Sequence, residues 1–218
     1  MDKRLARLLT FLLFALLPLS APAADEGPYL SASFGGSYLP EIENDNSAGS
    51  FNLDLDYGYA TSLALGYDLG TKHSELGTGR VEIEFGYRTH ELKEVAFLEG
   101  TVDGAGDLNV LSIMLSTYAE PEDRKDDWTP YVGLGIGAAR IILDRTSISG
   151  DPLIDDTDWV FAGQVGLGSG YRISDHLTLD LGYRFFATTT PEFKDATGAK
   201  VDSEYQNHLV QAAIRLTF

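Results

Sequence analysis

The chain has 218 residues, no cysteine and a formal net charge of −17. Those facts exclude disulfide staples, thiol catalysis and a Cys-based metal centre. They also leave no electrostatic footprint for nucleic acid. The 23 glycines and 11% aromatic residues suit a strand-rich chain better than a helical one.

Residues 1–24 read as a cleaved signal peptide. Lys3, Arg4 and Arg7 form a basic start, Leu8 to Leu17 an apolar run broken only by Thr10, and Ala21-Pro22-Ala23 a cleavage site. Pro18 and Ser20 come too early for a membrane-spanning helix, which needs about 20 apolar residues. No cysteine follows the cleavage site, so a lipid anchor at that point is not expected. No later apolar run reaches spanning length. If residues 25–218 sit in a membrane, they must do so as a closed barrel, where every backbone group is paired between strands.

Eight stretches alternate with the two-residue period of a strand. Tyr29 to Tyr38 sets Leu30, Ala32, Phe34, Gly36 and Tyr38 against Ser31, Ser33, Gly35 and Ser37. Tyr57 to Leu69 sets Tyr59, Thr61, Leu63, Leu65 and Tyr67 against Ala60, Ser62, Ala64, Gly66 and Asp68. Arg80 to His90 is the clearest: Val81, Ile83, Phe85, Tyr87 and Thr89 alternate with Arg80, Glu82, Glu84, Gly86 and Arg88. In Leu108 to Ala119 both faces are fairly apolar; Leu111, Ile113 and Leu115 are assigned outward, Ser112, Met114, Ser116 and Tyr118 inward.

The fifth stretch, Pro130 to Leu143, sends Val132, Leu134, Ile136 and Ala138 outward and Tyr131, Gly133, Gly135, Gly137 and Ala139 inward. Arg140 falls on the outward parity, so either it lies at the rim or a bulge precedes it. Trp159 to Arg172 has Phe161, Val165 and Leu167 outward and Gln164, Gly166, Gly168 and Gly170 inward. Leu177 to Phe186 has Leu179, Leu181 and Tyr183 outward and Asp180, Gly182, Arg184 and Phe186 inward. Leu209 to Phe218 closes the series, with Val210, Ala212, Ile214, Leu216 and Phe218 on the apolar face and Arg215 on the other.

Eight amphipathic strands of about ten residues predict an all-β, eight-stranded antiparallel up-and-down transmembrane β-barrel. Two aromatic girdles are expected: Tyr29, Tyr67, Trp128, Tyr131, Tyr171 and Phe218 at one end, Tyr38, Tyr57, Tyr59, Tyr87, Trp159, Phe161 and Phe185 at the other. The links 39–56, 91–107, 144–158 and 187–203 read as long polar loops. They carry acid: Glu41, Glu43, Asp45, Asp54 and Asp56; Glu94, Glu99 and Asp103; Asp151, Asp155, Asp156 and Asp158; Glu192, Asp195 and Asp202. The link 173–176 is a tight turn.

The stretch Pro130-Tyr131-Val132-Gly133-Leu134-Gly135-Ile136-Gly137-Ala138-Ala139 resembles the fifth strand of small bacterial outer-membrane barrel and surface-antigen families, of OmpA-type architecture. Leu179 to Phe185 resembles their seventh strand and His208 to Phe218 their last. The resemblance implies an outer-membrane location, a periplasmic C-terminus, and extracellular long loops. It makes the terminal Phe218 part of a signal read by the barrel-assembly machinery. No periplasmic domain is expected after Phe218. These motifs specify architecture and carry no activity.

Candidate sites follow from parity. Arg80, Glu82, Glu84, Arg88, Gln164, Asp180, Arg184 and Arg215 all point into the lumen and are expected to form a charge network. Glu82 and Glu84 could be read as an acid–base pair, but an eight-stranded barrel is just wide enough to be filled by its own side chains. Bulky Met114, Tyr118 and Phe186 join them, and the inward glycines of strands five and six are expected to make room for the long arginines. If the last two strands start level, Asp180 faces Arg215 directly.

The four histidines give no catalytic pattern. A lipid A deacylase, the enzyme alternative, would want His and Ser close on one lipid-facing strand with an acid to orient the His; His73-Ser74 points to opposite faces, and His208 has only Glu204 and Tyr205 near. The Asp155-Asp156-x-Asp158 and Asp54-x-Asp56 runs match no calcium-loop spacing. The reading is therefore a monomeric outer-membrane barrel that meets lipid, lipopolysaccharide and a host or envelope ligand through acidic loops. No catalytic, cofactor or metal site is assigned. A lipid A-modifying enzyme and a small channel remain the alternatives; a soluble secreted β-protein is disfavoured by the continuous apolar faces.

Overall fold

The computed structural model describes residues 26–40, 42–46, 49–55, 57–70, 78–97, 100–121, 127–148, 151–194, 200–203 and 205–218. The signal peptide, His73, Glu41, Asp56, Glu99, Asp195 and Glu204 lie outside them. Twelve strands run through the described residues. They are β1 (Gly27–Tyr38), β2 (Ile42–Asn46), β3 (Gly49–Leu55), β4 (Gly58–Gly70), β5 (Gly79–Phe97) and β6 (Gly100–Ala119), then β7 (Trp128–Ile148), β8 (Asp151–Ser174), β9 (Leu177–Thr188), β10 (Glu192–Lys194), β11 (Lys200–Ser203) and β12 (Gln206–Thr217).

Eight of these close on themselves. The order β5-β4-β1-β12-β9-β8-β7-β6 returns to β5 through the β5–β6 pairing. Every neighbour pair is antiparallel, and the first and last strands join from Tyr29↔Thr217 to Tyr38↔His208. No strand edge is left open within this ring. The alternation read from sequence governs which side chains face where. On β6, Leu111, Ile113 and Leu115 are exposed while Ser112, Met114, Ser116 and Tyr118 are buried. Outside the barrel Phe34, Leu65, Val132, Leu134 and Val210 stand 62–68% exposed. A band this apolar is untenable in water and is what a bilayer wets.

The register between β7 and β8 is continuous from Trp128↔Tyr171 to Leu143↔Asp156. No bulge precedes Arg140, so it stays on the outer face, where its Nε donates to Thr157 Oγ1 at 3.1 Å.

Three expectations are corrected. First, the long links are not loops. β5, β6, β7 and β8 run on for 19, 20, 21 and 24 residues, about twice the length needed to span. β2, β3, β10 and β11 fill the other two links. β3 pairs with the upper part of β5 (Asn52↔Ala96 to Leu55↔Leu92), β2 pairs β3, β11 pairs β2, β10 pairs β11 and β10 lies against β8. The wall therefore continues above the spanning barrel: β5–β8 rise unbroken on one side. Opposite them β1, β4, β9 and β12 stop near one height, at Tyr38, Gly58, Thr188 and Gln206, and short strands take over. Pro40 and Pro191 sit in two of these breaks, where a missing N–H cannot serve a ladder.

Second, Tyr29 and Tyr131 are not girdle residues. Both are inward and buried, because parity outranks position along the strand. Tyr67 and Trp128 remain exposed at that end, with the Trp128 and Tyr171 rings tilted against each other at 4.9 Å.

Third, the inward glycines of β7 and β8 make room for more than arginines: Gly166 and Gly170 lie against Arg184 and Arg215, but Gly133 and Gly168 lie against Tyr118 and Tyr131, Gly135 against Ser116 and Gln164, and Gly137 against Met114. A Cβ on Gly66 would meet the Tyr29 ring, one on Gly133 the Tyr118 ring, one on Gly168 the Tyr131 ring and one on Gly182 the Tyr131 hydroxyl. Each large ring thus lies across a glycine of a neighbouring strand.

The substitution Gly66→Ala tests this packing. It should lower the unfolding free energy of the refolded barrel by about 1–3 kcal/mol, as overpacking does, seen as an earlier urea midpoint in the gel-mobility shift. Gly36→Ala, where a Cβ meets nothing within 4 Å, should leave the midpoint unchanged.

Candidate functional site

The lumen has two layers. The one nearer the tight turn Ser174–Leu177 is ionic and lies where inward parity places charges on β4, β5, β9 and β12. Arg184, on β9, reaches across to β5, where Nη1 donates to both Glu84 oxygens at 2.6 and 2.7 Å. Ser62 Oγ adds a third hydrogen bond to Glu84 at 3.0 Å. Arg80 is paired with Glu120 and lies 3.9 Å from Asp180. Arg215 donates to Asp180 at 3.3 and 3.4 Å and to Asp68 at 3.4 Å. Gln164 donates to Ser116 at 2.9 Å.

Glu82 is held differently. Its two oxygens accept from the Tyr29 and Tyr118 hydroxyls at 2.8 and 2.7 Å, rather than from an arginine. The Tyr118 ring does double duty, because the Arg80 guanidinium sits 4.3 Å over it, and 4.4 Å over Tyr131. Such cation–π contacts favour a desolvated guanidinium.

The sequence pattern alone did not single out Asp68, Glu120, Tyr29 or Tyr131 as partners. Asp68 has the inward parity of β4 and could have been taken from it. Glu120 lies one residue beyond β6, where alternation gives no guide. The Asp180–Arg215 contact forms with a different register: Asp180 faces Ala213 and Arg215 faces Thr178, so the ion pair runs diagonally. The hairpin strands start at Leu177↔Leu216, two residues before the level assumed. A cavity of about 30 Å³ lies between this network and the small residues Ser31, Ser33 and Ser62, room for one or two waters. The carboxylates Glu82 and Glu84 thus have all four oxygens engaged by protein donors.

The second layer, towards the tall end, is apolar. Leu108, Val110, Met114, Ile141, Val160 and Phe186 pack there with Leu39 and Tyr205 from the breaks in the wall. Arg88 lies beside it. Its Nη1 donates to Ser112 Oγ at 3.0 Å and its guanidinium covers Phe186 at 4.0 Å. It makes no ion pair with a carboxylate among the described residues, so the expected pairing of Arg88 is corrected: both Glu84 oxygens are already engaged by Arg184. His90 is buried at the top of the lumen, against Asn207.

On the outer face His208 is ringed by Tyr38, Tyr183 and Phe185 at 5.2–6.2 Å, with the Tyr183 hydroxyl 2.6 Å from Nδ1. Among the described residues it bonds no serine and no carboxylate. Asp156 and Asp158 each accept from the next backbone amide at 2.8 Å, and among the described residues no three acidic or histidine side chains are grouped to hold a metal.

A closed antiparallel barrel with an apolar outer band and an ion-paired interior is a transmembrane β-barrel of the bacterial outer membrane. The chain belongs to the outer membrane protein β-barrel domain family, whose profile matches residues 9–218. Among solved structures it is similar to Neisserial surface protein A, at 19% identity and a TM-score of 0.51, over 88% of this chain and 97% of that one. It is likewise similar to the outer membrane protein OprG from Pseudomonas aeruginosa, at 14% and 0.57, over 88% and 97%. A third is a major outer membrane protein from Thermus thermophilus, at 11% and 0.54, over 88% and 99%. At these identities the likeness is one of fold alone. No curated protein matches the chain in sequence.

Removing one partner of a buried ion pair leaves the other unpaired, at a cost of about 3–5 kcal/mol. Arg184→Met should therefore destabilise the barrel by about that much in equilibrium unfolding from lipid. The double variant Arg184→Met/Glu84→Met should recover most of the loss. If the double variant is as unstable as the two single losses added, the pair is not coupled.

Proposed function

We propose that the protein is a monomeric surface-interaction and envelope-structural barrel that works through its tall, acidic end, and is neither a channel nor an enzyme. The observation that carries this reading is the division of the molecule. The spanning part is filled by an ionic layer and then an apolar layer. The part above it is a built wall of β5–β8 completed by β2, β3, β10 and β11. A chain that needed only to span would have no use for strands of 19 to 24 residues.

The tall end is taken as extracellular, with both termini periplasmic and residues 1–24 removed on export. Its register sets acidic residues at paired positions on adjacent strands: Glu192, Asp202 and Asp45 in one row, Asp54, Glu94 and Asp103 in another. Rows of like charge beside phosphorylated lipopolysaccharide suit bridging by divalent cations, and such a surface suits a host or envelope ligand of basic character. Phe218 is proposed as the residue read by the barrel-assembly machinery; its backbone N–H donates to Pro28 O at 3.0 Å, which ties the end of the chain to its first strand.

Binding of the purified barrel to lipopolysaccharide should strengthen with magnesium and fall several-fold in a variant carrying Asp45→Asn, Asp54→Asn, Asp103→Asn and Asp202→Asn. Equal binding of both proteins, with and without chelator, would remove the acidic surface from the account. Single-channel recording in planar bilayers should show no steady conductance. Reproducible openings that change in Glu82→Ala or Arg184→Ala would put the channel reading first. Deleting Phe218 should lower the amount assembled in the outer membrane more than it lowers the stability of protein refolded in detergent. Normal surface levels would reduce Phe218 to a girdle residue.

A further inference from the structure

Among the described residues, Arg88 is the buried lumen arginine that makes no ion pair with a carboxylate. It is 2% exposed. Ser112 takes one hydrogen bond and Phe186 one face of the guanidinium, while Nε has no acceptor among the described residues. Around Phe186, at the same height, other buried polar atoms stand without a hydrogen bond among the described residues: the Tyr205 hydroxyl, and the neutral acceptors Asn207 Oδ1 and Gln164 Oε1 on residues in register with Phe186. The Tyr205 ring and the Arg88 guanidinium both lie against Phe186. Tyr205 comes from the break between β11 and β12, and its ring meets Phe186 edge-on at 6.0 Å. What this cluster lacks is an acceptor that carries negative charge. A water molecule would take a hydrogen bond from Nε and leave the charge uncancelled, and a buried unpaired cation is costly.

We propose that Arg88 is the seat of a small monovalent anion, a halide or the carboxylate of a short acid, held inside the barrel between the ionic layer and the apolar layer. The Arg88 Nε–H and the Tyr205 O–H are its donors. Val110, opposite Arg88 in the β5–β6 register, and Phe186, under its guanidinium, are both wholly buried and give the anion an apolar setting. The anion neutralises Arg88 without drawing on Glu84, which stays with Arg184.

The test uses the whole mature barrel refolded in detergent. Crystals grown in bromide should give an anomalous peak within hydrogen-bond distance of the Arg88 guanidinium. Addition of acetate should lower that peak if carboxylates share the site and leave it unchanged if only halides bind; either result keeps the site. The thermal midpoint should rise with chloride at constant ionic strength, against a bulky counter-anion, and Arg88→Met should abolish that dependence. Tyr205→Phe, which keeps the ring, should weaken apparent chloride affinity about tenfold, as loss of a charge-assisted hydrogen bond does, and serves if Arg88→Met fails to refold. Absence of the bromide peak, with the same chloride response in wild type and Tyr205→Phe, overturns the proposal.

Discussion

A backbone crossing hydrocarbon has no water to turn to, so each of its N–H and C=O groups must be met by another strand. The pairing of β1 with β12 from Tyr29↔Thr217 to Tyr38↔His208 meets that demand for the two strands that would otherwise be edges. Once the ring is closed at eight strands, its bore is fixed and narrow. Each inward position must then be filled, and each outward one must suit lipid. The arginines, the tyrosines and the glycines are answers to the same shortage of space.

The inside solves this with a division of labour between neighbours. Large rings lie over glycines on adjacent strands, as Tyr131 does over Gly168 and Tyr118 over Gly133. The rings then form the floor on which guanidinium planes rest, as Arg80 rests against Tyr118 and Tyr131. Carboxylates reach those guanidinium groups from the sides. Tyr118 shows the economy of the scheme: its ring supports Arg80 and fills the bore, and its hydroxyl supplies one of the hydrogen bonds to Glu82.

How far the sequence speaks depends on whether a side chain announces its face. The spanning strands do, because an apolar residue and a small or charged one alternate across them, and β5 could be oriented from Val81 to Arg88 without any structure. The upper strands do not. Segments such as Ile42–Asn46 and Lys200–Ser203 are polar on both faces, so their period is invisible to a hydrophobicity count, and their partners are set by where β5 and β8 have already gone. Within the lumen, parity named which residues point in but not which meet. Asp180 and Arg215 show the limit. Both were placed on the inner face, yet the two-residue offset of the hairpin, decided by the turn at Asp175–His176, was beyond reading. Arg88 shows another: its pairing depended on Arg184 arriving at Glu84 from the far side of the barrel.

The breaks near Tyr38, Gly58, Thr188 and Gln206 have a consequence for how the chain can change over generations. A substitution in β6 or β7 above the bilayer is carried by a strand that also spans it, so a slip of register there would be transmitted to the lipid-facing rows below. β2, β3, β10 and β11 are insulated. β3 is laddered to β5, but none of the four is continuous along the chain with a spanning strand, so an insertion within them is not carried directly into a lipid-facing row. Half of the rim can therefore accept changes that the other half, held in register with the membrane-spanning rows, cannot.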